Sequence, residues 1–285
     1  MRHDGPEARR FDDSDRVTRA EETKNGFGVR SPPAPSRGAP RRDLLCQLLV
    51  WTGFGLAYEV VRGASGNRSR ALRDGLALIH LEDHLHALFE PHLEHLVLHL
   101  PVLAALVTGS YWASEFGVLV LALIWTYVRA RATYRRLRDA VIAANVLGLV
   151  GYVLAPTAPP RVFTAYGFTN ALSGQPNPAH PVGLIGFAAN PYAAMPSVHA
   201  ADALLVAYYL AQLSQRPLVR VLCWLWPLWV SFCVLASGNH FWLDVIAGAG
   251  IALAGIRVSS AIASRFGELR GRPRAVPDAG RPAAA

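Results

Sequence analysis

The chain alternates long apolar runs with short polar segments. Six runs carry few or no charged residues, and they cover residues 44–61, 116–128, 140–155, 198–213, 219–236 and 241–256. A helix needs roughly 17 to 25 residues to cross a bilayer core, so the shorter runs reach that length only with their neighbours. Helices of a soluble core would show a polar face at the helical period, and these runs show none. The pattern predicts an all-α integral membrane protein, a bundle of six transmembrane helices.

A histidine-rich segment lies between the first two runs. Residues 76–101 hold six of the ten histidines, namely His80, His84, His86, His92, His95 and His99. Pairs of imidazoles spaced four residues apart, with carboxylates nearby, make a metal site one interpretation. The apolar residues between positions 76 and 89 favour the other interpretation, an amphipathic helix in the membrane interface with His and Glu toward water. We therefore expect an interfacial helix here and no metal.

The composition and the distribution of charge suit a membrane protein. Of 285 residues, 52% are hydrophobic and 17% charged, and the mean hydropathy is +0.24. The net charge of +8 reflects arginines in loops, five of them at residues 129–138. Because Lys and Arg are enriched in cytoplasmic loops, we expect both termini to be cytoplasmic and residues 156–196 to lie on the outer face of the plasma membrane, with no nucleic-acid partner. Four arginines disagree with this orientation, since they fall on its outer side: Arg62, Arg68, Arg70 and Arg73.

The two ends of the chain show no apolar period. Residues 1–42 are rich in charge, Pro and Gly, which predicts a disordered cytoplasmic arm. The first apolar run begins only at Leu44, so no secretory signal peptide is expected. Residues 264–285 predict a disordered cytoplasmic tail. This division leaves residues 43–263 as one membrane domain.

Two of the apolar runs open on a histidine. Imidazole and carboxylate groups at membrane depth are costly and usually mark a function. In "SGNHFWLDVIAG", His240 and Asp244 are four residues apart and so share one helical face, where the carboxylate can accept from the imidazole. Such a pair fixes the tautomer and leaves the other ring nitrogen free to act as a base or a nucleophile. The spacing predicts half of a catalytic site.

The segments "MPSVHA" and "APTAPPR" supply candidates for the other half. Ser197 is a favourable N-cap, and the N–H groups of the next turn form a natural anion site. His199 in that turn is placed to donate a proton to a leaving alkoxide. Arg161 enters the same outer loop, and its planar guanidinium suits a phosphate. Each piece alone has a structural explanation, but their joint position at span ends on one face predicts an outer-face catalytic site for phosphate chemistry.

Further candidates surround these residues. Asp202 follows His199 by three residues, where it either bonds His199, binds an acceptor hydroxyl or simply suits the helix dipole. Asn239 joins Ser197 and Arg161 as a candidate phosphate ligand. Residues 162–190 are rich in Gly, Pro and Asn, and loops on rigid scaffolds carry specificity. Tyr166 and Tyr192 are therefore candidate contacts to the substrate or the acceptor.

At these residues the sequence resembles the type-2 phosphatidic acid phosphatase superfamily. Its motifs are Lys-x6-Arg-Pro, Pro-Ser-Gly-His and Ser-Arg-x5-His-x3-Asp. "AMPSVHA" corresponds to the second motif, with Val198 in place of glycine, and "SGNHFWLDVIAG" to the end of the third. The resemblance implies that His240 is a nucleophile forming a phosphohistidine, Asp244 its orienting partner and His199 the acid. It also implies that no metal or other cofactor is needed.

The sequence departs from the superfamily pattern at two cations. Leu154 stands where the lysine of the first motif is expected, and Val234 where the arginine of the third is expected. In this it is similar to the branch that includes inositol-phosphorylceramide synthases. That resemblance implies a phosphotransferase that passes the phosphoryl headgroup of a lipid phosphate or phospholipid to an alcohol such as a polyol. Hydrolysis by water stays an alternative, and a transporter or a non-catalytic scaffold is a more distant one.

Overall fold

The computed structural model describes residues 41–172, 190 and 192–271, with backbone alone at residues 112, 114–116 and 266–271. The predicted arm lies outside these residues except for positions 41 and 42. Most of the predicted specificity loop, residues 173–189, and the end of the predicted tail lie outside them as well. The helix that ends the described chain continues to Gly271, eight residues past the predicted domain end at 263.

The described residues are predominantly helical, and we number the α-helices in chain order. They are α1 (Arg41–Ala64), α2 (Arg68–His84), α3 (Glu90–Leu98), α4 (Pro101–Trp112), α5 (Leu119–Arg129), α6 (Arg131–Leu154), α7 (Val198–Ala211), α8 (Pro217–Ala236) and α9 (Trp242–Gly271). A π-helix, Ala113–Val118, joins α4 to α5. The connection from α6 to α7 contains two short 3-10 turns, Pro160–Val162 and Thr164–Tyr166. An isolated β-bridge pairs Thr157 with Ala193 in the same connection.

Four helices of the described chain are long and apolar enough to cross a membrane: α1, α6, α8 and the Trp242–Arg265 part of α9. They confirm four of the predicted spans. The helices α3 and α4 pass the same test only together, and they are bent by 118° at their junction, so they form either a broken span or a re-entrant loop. The described residues therefore hold four spans, or five with this pair. The six full-length spans predicted from the sequence are not confirmed.

The two remaining predicted spans fold as shorter helices for different reasons. The run 116–128 does not begin a helix of its own, because the π-helix before α5 continues from α4. The run 198–213 forms α7, whose 14 residues rise about 21 Å. Eight residues of α7 are buried, and the helix packs against α6, α8 and α9. A helix enclosed by protein need not match the thickness of the lipid.

Small residues bring the central helices close together. A Cβ placed on Gly255 of α9 would come closer than 3.0 Å to the Ala140 carbonyl oxygen of α6, and one on Gly248 would be equally close to that of Ser197. Glycine is common at such helix interfaces in membranes because it lets backbones approach. The main apolar cluster lies between these helices and includes Leu137, Val141 and Leu205.

The histidine-rich segment differs from the predicted interfacial helix. It is broken between α2 and α3, where His86 adopts a left-handed backbone with φ 53°. All six histidines are exposed, as predicted, but Glu82, Glu90 and Glu94 are fully buried rather than turned to water. The reason is that the glutamates accept hydrogen bonds from backbone N–H groups of other segments. Within the ranges that the structure describes, no group of three or more metal-ligating side chains comes together.

The ends of the helices fall on two opposite sides of the bundle. Asp43 at the start of α1 pairs with Arg131 at 2.6 Å, and Ser259 in the second half of α9 donates to the Arg136 carbonyl at 2.8 Å. The arginine-rich segment 129–138 is thus on the side where the described chain begins and ends. The other side collects the end of α1, the loop after α6 and the starts of α7 and α9.

Candidate active site

A cavity of about 450 Å³ lies among α1, α6, α7 and the loops that precede α7 and α9. Its polar wall brings together five residues that the sequence singled out: Arg161, His199, Asp202, Asn239 and His240. Apolar side chains of α1 and α5, among them Trp51, Phe54 and Leu119, line another part. The cavity thus joins an apolar surface to a cluster of cationic, imidazole and carboxylate groups.

His240 and Asp244 form the pair that their spacing predicts. His240 Nδ1 lies 3.4 Å from Asp244 Oδ2, and both side chains are buried. This separation is at the long limit of a hydrogen bond, as is common for catalytic contacts before a substrate binds. Burial lowers the pKa of His240 from its ordinary value, and the Asp244 carboxylate opposes that shift. The imidazole is therefore neutral near pH 7, with a carboxylate ready to stabilise it if it becomes charged.

His199 faces this pair from the first turn of α7. Its ring centroid is 5.8 Å from that of His240, and it packs on Tyr111 at 4.6 Å. The helix start is fixed by Ser197, whose side chain accepts from the Ala200 N–H and whose own N–H donates to the Asp244 carbonyl at 2.9 Å. The two imidazoles consequently meet edge to face on the same cavity wall.

Arg161 forms the third wall of the polar cluster. Its backbone N–H donates to the Gly238 carbonyl at 2.9 Å, and its Nη1 donates to Asn239 Oδ1. Burial lowers the pKa of Arg161, but a guanidinium stays charged in proteins. Its Nε is buried and meets no acceptor among the described residues, and no carboxylate of these residues pairs with it. A buried guanidinium with an unused donor beside a cavity is suited to an anionic ligand.

Comparison with known proteins agrees with this geometry. The profile of the PAP2 superfamily matches residues 76–258, well over half of the chain. The chain belongs to the PAP2 superfamily. The resemblance drawn from the motifs is thereby confirmed, and with it the class of enzyme, since PAP2 members are metal-independent lipid phosphatases and phosphotransferases.

Two individual proteins are similar to this PAP2 chain. The phosphoinositol dihydroceramide synthase of Bacteroides thetaiotaomicron is 26% identical over 239 residues, which cover 76% of this chain and 77% of the synthase. The crystal structure of Aquifex aeolicus LpxE aligns with a TM-score of 0.46 at 20% identity, covering 60% of this chain and 93% of that one.

Leu154 and Val234 replace the lysine and the arginine of the PAP2 pattern, and the structure shows where their side chains lie. Leu154, at the lysine position, is 63% exposed at the end of α6, and Val234, at the arginine position, is fully buried in an apolar cluster with Tyr111 and Val230. Neither side chain lines the cavity. Apolar residues fit both positions because one faces outward and the other packs inside the bundle.

Arg62 is the functional candidate that sequence reasoning missed. It lies in the last turn of α1, lines the cavity, and pairs with Glu59 at 3.7 Å. Asn190 holds this turn in place by donating to the Arg62 carbonyl at 2.6 Å. In the sequence, Arg62 is notable only as one of four arginines that disagree with the predicted orientation. The signal that could have found it is the polar group Tyr58, Glu59 and Arg62 at the end of an otherwise apolar run.

A second polar group lines the deep part of the cavity. Asp202 on α7 accepts two hydrogen bonds from Asn145 Nδ2 on α6, at 3.0 and 3.3 Å. Tyr58 and Tyr152 complete this part of the wall. Asp202 lies one turn beyond His199 on the same helix, so its carboxylate and the imidazole face the same cavity. Of the roles considered for Asp202, this position supports contact with a bound group.

Three predicted site residues do not line the cavity, and their predicted roles stay predictions. Ser197 is fully buried and bonded to its own helix, so its side chain caps α7 instead of facing the cavity. Tyr192 packs beside the apolar cluster of Phe163 and Phe241. Tyr166 is 38% exposed and stacks edge-on against His80 at 6.0 Å. Neither tyrosine lines the cavity.

Proposed function

We propose that this PAP2 enzyme is a membrane phosphotransferase that moves the phosphoryl headgroup of a lipid-linked phosphate or phosphodiester to an alcohol through a phosphohistidine on His240. The observation that carries the proposal is one cavity wall on which the His240–Asp244 pair, His199 and the buried guanidinium of Arg161 meet. These are a nucleophile with its orienting base partner, an acid and an anion ligand. The apolar part of the same cavity suits the lipid portion of the donor.

In the first half-reaction His240 Nε2 attacks phosphorus in line with the leaving oxygen. A P–N bond forms as the P–O bond to the lipid breaks, and His199 gives its proton to the leaving oxygen. Asp244 stabilises the positive charge that develops on the His240 ring. The two imidazoles lie side by side in the cavity wall, with ring centroids 5.8 Å apart, so a phosphoryl group bound against that wall is within reach of both.

In the second half-reaction His199 acts as the base. It takes the proton of the acceptor hydroxyl while the acceptor oxygen attacks phosphorus and the P–N bond breaks, which restores both histidines. Arg161 and the N–H groups of the first turn of α7 stabilise the charge on the non-bridging oxygens. Arg62 supplies a second positive charge to the same cavity. In this proposal it provides the charge that the usual lysine and arginine of the superfamily would supply.

An alcohol acceptor is favoured over water by the polar wall formed by Asp202, Asn145 and Tyr58. A carboxylate, an amide and a phenol next to the acid–base histidine match the hydroxyl groups of a polyol, which need several acceptors and donors at once. The similar Bacteroides protein is named as a synthase of a phosphoinositol lipid, which supports transfer to or from a polyol.

The test is a product analysis with the purified protein. Lipid phosphates and phosphodiesters, each with and without inositol or other polyols, are incubated with the protein, and the products are identified by mass spectrometry. A lipid or polyol with a new headgroup supports the phosphotransferase. Release of free phosphate alone makes the enzyme a lipid phosphatase with water as acceptor, and no turnover of any donor contradicts both functions.

For the location we propose the plasma membrane, with both termini in the cytoplasm and the cavity open to the outer face. The arginine-rich segment 129–138 supports this orientation by the positive-inside rule. Arg62 no longer opposes it, because its side chain lines the cavity and is not part of a loop. A membrane-impermeant thiol reagent on intact cells tests the orientation, in a variant without native cysteines that carries either Tyr166→Cys or Arg216→Cys. Labelling at position 166 alone is expected, and labelling at position 216 alone reverses the orientation.

A further inference from the structure

Two buried glutamates outside the cavity bind the start of the helix that follows His240. The first N–H groups of a helix have no partner within the helix and need acceptors from elsewhere. Here Glu90 Oε1 accepts from the Trp242 N–H at 2.9 Å, and Glu82 Oε1 accepts from the Leu243 N–H at 3.3 Å. Asp244 Oδ2 accepts from the Phe241 N–H at 2.9 Å. Three consecutive N–H groups next to His240 are thus bound by three carboxyl groups.

The remaining oxygens of the two glutamates have an unusual environment. Glu82 Oε2 and Glu90 Oε2 are both buried and meet no N–H or O–H donor among the described residues. The two carboxyl groups accept from the N–H groups of adjacent residues, Trp242 and Leu243, which places them beside each other. Two carboxylates cannot bond to each other, but a carboxylic acid can donate to a carboxylate. One proton between them would satisfy both remaining oxygens.

The charge balance leads to the same conclusion. Both side chains are fully buried, and among the described residues neither forms an ion pair with an Arg, Lys or His. Burial, with the neighbouring Glu90 as the next cause, raises the pKa of Glu82 to about 9. A single negative charge is favourable next to a helix N-terminus, whereas two unpaired buried charges in contact would be costly.

We propose that Glu82 and Glu90 share one proton and act together as a positioning pair that fixes the first turn of α9, and through it the His240–Asp244 pair. Neither glutamate touches the cavity, so they act through the helix. The pair explains why the histidine-rich segment is folded against the site: α2 and α3 each bring one carboxyl group to the same helix start. The shared proton is independent of the proposed function, while the effect on catalysis rests on it.

Infrared difference spectroscopy of the detergent-solubilised protein tests the shared proton. The variants Glu82→Gln and Glu90→Gln are each compared with the wild type at neutral pH, in the carbonyl region of protonated carboxyl groups. Either substitution alone is expected to remove the same single band, and the double variant to remove no more. Absence of such a band, or a loss of two bands in the double variant, overturns the shared proton.

Kinetics of the same protein test the positioning role. Glu82→Gln keeps an acceptor for the Leu243 N–H and a donor for Glu90, so it is expected to keep kcat close to wild type. Glu82→Leu removes both and is expected to lower kcat by about 10²-fold with little change in KM, the cost of misplacing a catalytic group by roughly 1 Å. Wild-type kcat in a folded Glu82→Leu protein overturns the role.

Glu94 provides the matched control. It lies on α3, is as buried as Glu82 and Glu90, and accepts from the N–H and hydroxyl of Thr169 at 2.8 and 2.6 Å instead of from α9. Glu94→Leu is expected to lower the unfolding temperature about as much as Glu82→Leu while retaining much more of kcat. An equal loss of kcat in both would make the effect of Glu82 merely structural. A wild type that turns over no lipid phosphate would contradict the proposed function, and the infrared result would still decide the shared proton.

Discussion

The backbone N–H of Ser197 donates to the backbone carbonyl of Asp244 across 2.9 Å. This bond joins the turn that carries His199 to the turn that carries the carboxylate of the nucleophile pair. The approach is close because residue 248, one turn further along α9, is a glycine that faces the Ser197 carbonyl. The separation of the two imidazoles is therefore set by backbone contacts between α7 and α9.

Gly248→Ala is expected to disrupt this arrangement. A Cβ at position 248 would come closer than 3.0 Å to a backbone oxygen, which cannot move without moving the start of α7. Overpacking of this kind costs about 1–3 kcal/mol, and displacing His199 relative to His240 should lower kcat about 10²-fold. Thermal unfolding in detergent and steady-state kinetics measure the two effects.

The control is Gly250→Ala, two residues further along the same helix. A Cβ there meets nothing within 4 Å, and alanine is the better helix former by roughly 0.5–1 kcal/mol. This variant should unfold at the same or a higher temperature and keep its activity. If Gly248→Ala behaved like Gly250→Ala, the close contact between α7 and α9 would not determine the geometry of the site.

Substitution of His240 and substitution of His199 should impair the reaction at different steps. His240→Ala is expected to abolish both turnover and the covalent phosphoenzyme. His199→Ala should slow the release of a poorly leaving alcohol by about 10²–10⁴-fold and have a smaller effect on an activated aryl phosphate, whose leaving group needs no proton. Acid-labile, base-stable phosphate on the denatured protein measures the intermediate. A phosphoenzyme in His240→Ala would place the nucleophile elsewhere.

The pH dependence follows from the burial of His240. The nucleophile attacks as the neutral imidazole, and burial lowers its pKa below the ordinary 6.5. The acid limb of kcat/KM should therefore fall at a pH below 6.5, because protonation inactivates the free enzyme only there. Asp244→Asn removes the charge that raises this pKa and should move the limb to still lower pH, with a loss of kcat. An acid limb above pH 6.5 would contradict this assignment.

The catalytic pair and the number of long helices differ in how far the sequence could predict them. His240 lies two residues before α9 begins at Trp242, so the two side chains do not share a helical face, but Asp244 in the first turn folds back toward the residues just before the helix and their contact is still local. The predicted number of membrane spans depended on where each apolar run ends. Apolar composition does not distinguish a helix that faces lipid, such as α1, from one that is enclosed by protein, such as α7.

Contacts between distant segments were beyond the sequence. Arg62 reaches the cavity because α1 packs beside α6, and the sequence around residues 58–62 gives no sign of that contact. Glu82 and Glu90 alternate with histidines in a pattern that suits a water-facing helix, but their partners are N–H groups some 150 residues later in the chain. Periodicity reports which residues share a face and does not report what covers that face.

Arg62→Ala is expected to weaken binding of the phosphate group. A hydrogen bond to a charged group contributes about 1.5–3 kcal/mol, so kcat/KM should fall roughly 10- to 100-fold, mostly through KM if Arg62 binds substrate and transition state alike. Arg73→Ala is the control, since Arg73 is an exposed arginine of α2 that does not line the cavity. An unchanged KM for Arg62→Ala would show that Arg62 does not bind the phosphate group.

Asp202→Asn tests whether Asp202 binds the alcohol acceptor or acts on the lipid donor. The substitution keeps the size of the side chain but removes the negative charge next to Asn145, so an acceptor hydroxyl loses its strongest hydrogen-bond partner in that wall. The KM for the polyol is expected to rise roughly 10-fold or more, while the rate of phosphoenzyme formation from the lipid donor stays close to wild type. Rapid-quench measurement of the phosphoenzyme and steady-state transfer at varied polyol concentration give the two quantities.

Asp139→Asn serves as the control, because Asp139 pairs with Arg138 near the other end of α6, away from the cavity. If Asp202→Asn slowed phosphoenzyme formation and left the KM for the polyol unchanged, Asp202 would serve the donor half of the reaction, and the proposed acceptor wall would be wrong.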